Sequence, residues 1–313
     1  HKDIVFRQGD VAELEASTVA GWFGDARVRV LAGCAPCQPF SRYALRYQKD
    51  EKVEDDQRWS LLNHFGRLVR ELLPDIVTME NVPTVTKHEV FDDFVSTLTR
   101  RGYEVWYGVV DSAKYGLPQR RRRTVLLASR NGPMGLRQPD SSPPKTVRDV
   151  LDGLPPIGHG ASHDADPLHT TSRLSPLNLK RIQASRPGGS WRDWPARLVA
   201  ECHQRDTGQS YPGVYGRMTW DEPAPTLTTQ FYGFGSGRFG HPDQDRALSL
   251  REGAILQGFP ETYSFVPEGE RVRFKVLGRL IGNAVPVELG RVIGESIWDH
   301  LDRAPQAKST AHR

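Results

Sequence analysis

The sequence predicts an α/β protein, a doubly wound sheet joined to a smaller loop-rich domain. Three observations carry this. Short apolar runs alternate with amphipathic ones through about the first 130 residues. No apolar run approaches the ~20 residues of a membrane span. The composition then shifts toward Pro, Gly, Ser, His and Trp, with few long periodic segments.

The elements follow in order. Residues 27–33 (RVRVLAG) read as a strand entering a turn, and residues 61–73 (LLNHFGRLVRELL) repeat apolar side chains at helical spacing. Residues 75–79 (DIVTM) form the next strand and 90–100 a helix, and strands follow at 103–110 and 124–128 (TVLLA). Such alternation argues for a parallel sheet covered on both faces. Ligands of such a sheet lie beyond the carboxyl ends of its strands. A loop-rich region spans about residues 131–240. A short helix is expected near Leu248 and a last one over 287–301, and the polar tail from 304 should fray.

Lys and Arg number 42 against 38 Asp and Glu, a formal charge of +4. That balance permits an anionic partner without requiring one. The three cysteines, Cys34, Cys37 and Cys202, suit a reducing cytosol and cannot all pair. No signal-peptide pattern opens the chain.

Three segments carry candidate chemistry. Residues 33–41 read GCAPCQPFS, so Cys37 should stand on a turn at a strand's end, where a thiolate is the reactive form. Taken alone, Cys37 could equally be a small buried hydrophobe. Cys34 and Cys37 also form a C-x-x-C, but zinc would need two further ligands that the neighbourhood does not offer, so no metal is expected. Glu80, in ENVP, directly follows the strand DIVTM, where a carboxylate can meet a ligand or simply cap a helix. Residues 119–123 (QRRRR) lead into TVLLA. Strand alternation would put Arg121 and Arg123 on one side, able to hold a base carbonyl or a phosphate, unless the run is a solvated loop.

GCAPCQPFS, MENVP and LPQRRRR, in this order, resemble the three central motifs of the DNA (cytosine-5)-methyltransferase family of the bacterial restriction-modification type. LREGAILQGFP (250–260) and IGNAVP (281–286) resemble its last two. Residues 9–11 (GDV) are similar to the acidic turn before the nucleophile strand, and 56–61 (DQRWSL) to the opening of the following helix. The resemblance spans nearly the whole chain. It implies a Rossmann-like, S-adenosylmethionine-dependent methyltransferase fold with a smaller target-recognition domain. The catalytic and cofactor domain would be 1–157 with 269–313, and the target-recognition domain 158–268. It also implies methyl transfer from S-adenosylmethionine to carbon 5 of a flipped cytosine in duplex DNA, in the bacterial cytosol and nucleoid.

The roles implied are specific. Cys37 would add to carbon 6 of the ring, with Pro36 and Gln38 shaping its turn. Glu80 would hold ring nitrogen 3 and the exocyclic amine, and Arg121 the carbonyl oxygen, with Arg123 in the same neighbourhood. Asp10, Leu61 and Asn283 would hold the cofactor. Residues 42–57 resemble the loop that closes over DNA. Gln119, Thr226, Thr228 and Thr229 are candidate DNA contacts, the threonines lying in a stretch (YGRMTWDEPAPTLTT, 215–229) similar to the best-preserved part of the family's recognition region. Each threonine could instead be an ordinary strand residue.

The chain departs from the family at its start. The Gly-rich turn that cradles the cofactor's methionine, and the acidic residue after it, have no match after His1. That segment is expected either upstream of His1 or on a partner chain, and this chain alone is expected to bind the cofactor weakly or not at all. Other readings therefore stay open: a DNA-binding module without chemistry, one subunit of a split methyltransferase, a tRNA cytosine-5 methyltransferase, or a C-x-x-C redox protein.

Overall fold

The computed structural model describes residues 4–35, 60–205, 208, 212–267 and 269–303. These gather into two compact units. One takes its described residues from His1–Val110, Arg122–Gln138 and Val292–Arg313, the other from Asp111–Arg121 and Pro139–Arg291.

The first unit is built on a four-stranded sheet: β1 (Val30–Gly33), β2 (Ile76–Asn81), β3 (Glu104–Asp111) and β4 (Arg122–Ser129), in spatial order β1-β2-β4-β3. β1 and β2 are parallel, as expected, but β4 runs antiparallel to β2, so the sheet is mixed and not wholly parallel. The reason is local. Residues 112–121 between β3 and β4 hold only a 3-10 turn, Ser112–Tyr115, too little for the crossover that a parallel pair needs. β2 is buried at all six positions, with Ile76, Val77 and Met79 in the core and the polar Thr78, Glu80 and Asn81 buried beside them.

Three helices cover this sheet: α1 (Ala16–Phe23), α2 (Ser60–Leu72) and α3 (Glu89–Arg100). Leu62, Phe65 and Val69 of α2 face Phe91, Phe94 and Leu98 of α3 over Val77, Met79, Leu126 and Ala128. Burying side chains of this size is worth about 1.5–3 kcal/mol each. Leu68 and Leu72, on the neighbouring stripe of α2, pack with Val19 of α1. The end of the last helix is tied down by polar contacts. Arg137 donates from Nε and Nη2 to Asp299 and from Nη1 to Glu295, and Ser129 Oγ lies 2.8 Å from His300 Nε2.

The second unit has little regular structure: a two-stranded hairpin (Ser162–His163 and Asp166–Thr170) and helices α4 (Pro176–Gln183), α5 (Leu250–Leu256) and α6 (Phe274–Asn283). Helix α7 (Val287–Arg303) begins here and ends in the first unit. One core gathers Leu227, Phe231, Leu250, Ala254, Leu277 and Ile281, and a second gathers Trp191, Trp194 and Phe234. Ser249 and Glu252 close a capping box at the start of α5. Glu252 also holds Arg246 through two 2.7 Å bonds, an ion pair buried on both sides. Among the described residues, no helix is long and apolar enough to cross a membrane.

Candidate active site

Glu80 is the next-to-last residue of β2 and is buried at 7% exposure. Its surroundings follow from the strand register. Because β4 is antiparallel to β2, the first residues of β4 lie beside the last of β2: Glu80 is opposite Val125, and Asn81 opposite Thr124. Arg123 therefore reaches Glu80, with its Nε 3.0 Å from Oε1. The N–H is not aligned on the oxygen, and Oε1 makes no hydrogen bond. On the other oxygen, Cys34 Sγ donates to Oε2 at 3.3 Å. Arg123 is further steadied by donating from Nη1 to the carbonyl of Arg122 at 2.8 Å.

Asn81 anchors the chain as it leaves β1. Its Nδ2 donates to the carbonyl of Ala35 at 3.2 Å, and its Oδ1 accepts from Val82 N at 2.8 Å. The amide thus ties the exit of β1 to the exit of β2. Sequence reasoning took Glu80 from ENVP and passed over Asn81. Cys37, Pro36, Gln38 and residues 42–57 lie outside the described residues.

Arg121 is placed elsewhere. β4 starts at Arg122, so the strand alternation that would align Arg121 with Arg123 does not extend back to it. Arg121 belongs to the second unit, is 3% exposed, and donates to the carbonyls of Leu227 (3.1 Å), Gly282 (3.4 Å) and Ala284 (3.4 Å). Gln119 is fully buried beside it. Its Nε2 donates to Leu256 O and Gln257 Oε1, both at 3.0 Å, and its Oε1 accepts from Leu227 N at 2.9 Å. Gln257, which the sequence reading did not single out, is also fully buried and donates to Ile281 O at 2.7 Å. Together these amides and Arg121 knit LPQRRRR, PTLTT, LREGAILQGFP and IGNAVP into one buried network. Gly282 is required within it, since a Cβ there would sit 2.3 Å from the Thr228 carbonyl oxygen.

The remaining candidates are at the surface. Asp10 is exposed on a turn and accepts from Ala12 N at 2.9 Å, and Leu61 is half-buried on α2. Asn283 is exposed at the end of α6. Thr226 is exposed, and its hydroxyl donates to Arg120 O at 2.6 Å. Thr228 is exposed and accepts from Gln230 N at 3.3 Å, and Thr229 is half-buried. Among the described residues, no group of three or more His, Cys, Asp or Glu is placed to hold a metal ion.

Comparison with known proteins agrees with the motif order. The profile of the family described as C-5 cytosine-specific DNA methylase matches residues 3–299. The chain is 48% identical over 302 residues to the type II methylase M.HgiDII of Herpetosiphon aurantiacus, covering 95% of this chain and 83% of that one. It is 30% identical over 304 residues to the type II methyltransferase M.Eco47II of Escherichia coli, covering 95% and 68% respectively. The solved structure of the Entamoeba histolytica methyltransferase EhMeth matches with a TM-score of 0.64 at 15% identity, over 94% of this chain and 83% of that one, a likeness of fold alone.

Proposed function

This chain belongs to the C-5 cytosine-specific DNA methylase family, and on that premise we propose that it methylates carbon 5 of a cytosine flipped out of a specific duplex sequence, through a covalent bond from Cys37. Its α/β sheet is of the S-adenosylmethionine-dependent methyltransferase fold, and its activity is that of a DNA (cytosine-5)-methyltransferase. Its likeness to type II methylases supports the modification half of a restriction-modification system, acting on the genome in the bacterial cytosol.

The observation that carries the reading is the setting of Glu80, a buried carboxylate at a strand's carboxyl end with Arg123 on one oxygen and Cys34 on the other. A flipped cytosine offers a ring nitrogen and an amine to a carboxyl group, and a carbonyl oxygen to a guanidinium. Glu80 takes the first pair, and Arg123, standing beside it, takes the carbonyl. Arg121 and Gln119 serve instead to fix the backbone of the second unit. Cys37 thiolate adds to carbon 6, which makes carbon 5 nucleophilic. After methylation, loss of the carbon 5 proton expels the thiolate and restores the ring.

S-adenosylmethionine supplies the methyl group when bound. By the resemblance, the Asp10 carboxylate would accept from the adenine amine and Leu61 would give an apolar wall, with the exposed amide of Asn283 the candidate for the methionine end. Residues 158–268, with Thr226, Thr228 and Thr229, serve as the target-recognition domain, and 1–157 with 269–313 as the catalytic domain.

Duplex DNA carrying 5-fluorocytosine tests the chemistry, because its substituent cannot leave as a proton does. The full-length protein with S-adenosylmethionine should form a DNA adduct that survives denaturation and maps to Cys37, and Cys37→Ser should form none. Methylation of ordinary DNA without any trapped adduct would defeat the covalent mechanism while leaving the family intact.

A further inference from the structure

We propose that Arg238 is a specificity-determining residue that reads the edge of a guanine in the recognised sequence. The proposal rests on the reading of this chain as a DNA methyltransferase.

The other buried arginines of this part of the chain are satisfied from within. Arg217 donates to the carbonyls of Ile182, Ser185, His241 and Gln244 and pairs with Asp245. Arg246 holds Glu252 with both arms, and also Gln244 Oε1 at 2.9 Å. Both guanidinium groups are surrounded by acceptors from their own chain. Arg238 lies between them in sequence and is half-buried. Its Nε is buried and has no hydrogen-bond partner, and its guanidinium has no ion pair or hydrogen bond among the described residues. Arg121, by contrast, spends its terminal nitrogens on three carbonyls of its own chain. With no acceptor of its own chain spent on it, the half-buried guanidinium of Arg238 is left for the acceptors of a ligand.

The side chain is also held in place. A Cβ on Gly216 would lie 2.9 Å from Arg238 Cγ and 3.2 Å from its Nε, so the stem lies against bare backbone. The chain following Arg238 is pinned by hydrogen bonds from Leu248 N to Phe239 O (3.0 Å) and from Gly240 N to Gly216 O (2.9 Å), and Phe239 is buried. In the preceding Gly-Phe-Gly-Ser-Gly, Phe234 is the one bulky side chain and is itself buried.

These features favour a base over a phosphate. Phosphate contacts need charge, which long exposed side chains supply. A guanidinium with an immobilised stem presents its planar fork in one orientation, as two parallel bonds to guanine O6 and N7 require.

The test is methylation of a plasmid library by the full-length protein and by Arg238→Gln, Arg238→Ala and Arg238→Lys, read by bisulfite sequencing. The wild type should require guanine at one position that the Gln and Ala variants no longer require, with preference there falling roughly ten- to hundredfold. Arg238→Lys keeps stem and charge but lacks the fork, and should lose the same preference. It decides the matter if the shorter variants fail to fold. An unchanged target sequence overturns the proposal. So does an equal fall on all sequences with a lower salt dependence of binding, which would mark a phosphate contact. A wild type that methylates no duplex would instead overturn the underlying methyltransferase reading.

Discussion

Arg123 Nε lies 3.0 Å from Glu80 Oε1, across two antiparallel strands whose ends meet at one edge of the sheet. If Arg123 holds the base carbonyl while flanking Glu80, its removal should slow chemistry more than it weakens DNA binding. Arg123→Ala should lower the single-turnover methylation rate by about 100- to 1000-fold, the cost of losing one electrostatic donor in a shielded site. Arg123→Lys should recover part of that. A folded Arg123→Ala variant with a normal rate would remove this residue from the site.

Arg121 should respond differently, because its guanidinium is bound to Leu227, Gly282 and Ala284 carbonyls. Arg121→Ala strips a buried donor from these acceptors and should destabilise the protein by about 3 kcal/mol. Urea unfolding would show a lower midpoint at an unchanged slope. Gln119→Ala should shift it in the same direction. If Arg121→Ala keeps full stability and loses only activity, Arg121 acts on substrate and not on the backbone.

His241 gives the second unit an acid sensitivity. Burial drives its pKa down to about 4, outweighing the upward pull of Glu252, whose Oε1 is 3.7 Å from Nε2. Arg246 and Arg217 add to the depression and Asp243 opposes it. The ring's Nδ1 accepts from Asp243 N and Gln244 N, which requires it unprotonated there. Between pH about 6.5 and about 4 the unfolded chain gains this proton while the folded one does not. Stability is therefore full above pH 6.5 and falls toward pH 4, by up to about 3 kcal/mol from this group. Glu252 acts lower. Burial raises its carboxyl, but Arg246 outweighs that and holds the net shift downward, so its contribution is lost only as pH falls below the ordinary carboxylate range. Unfolding free energies at several pH values should show a shallower decline for His241→Gln between pH 6.5 and 4. Parallel curves for the two proteins would rule out His241 as the sensor.

Most of the element pattern was legible in the sequence because it depends on neighbours along the chain. The helix expected at 61–73 occupies Ser60–Leu72, and the strand at 124–128 lies within Arg122–Ser129. The order of five motifs identified the family, since each joins a strand or helix end to the residues that follow it. Glu80 stood out the same way, next to the apolar run that begins β2, though the strand continues through it to Asn81.

What the sequence by itself determined, then, was the family and the order of its motifs along the chain. Which arginine stands beside Glu80 was decided only by the tertiary structure. Arg121 and Arg123 are two residues apart and chemically identical, and a strand through both would have shown them to one side. The strand begins between them, at Arg122, and its antiparallel pairing with β2 carries Arg123 to Glu80 while Arg121 turns to the carbonyls of the second unit. The burial of Gln119 and Gln257 was hidden for the same reason: their partners lie 137 and 24 residues away in the chain, and no local pattern records such a distance.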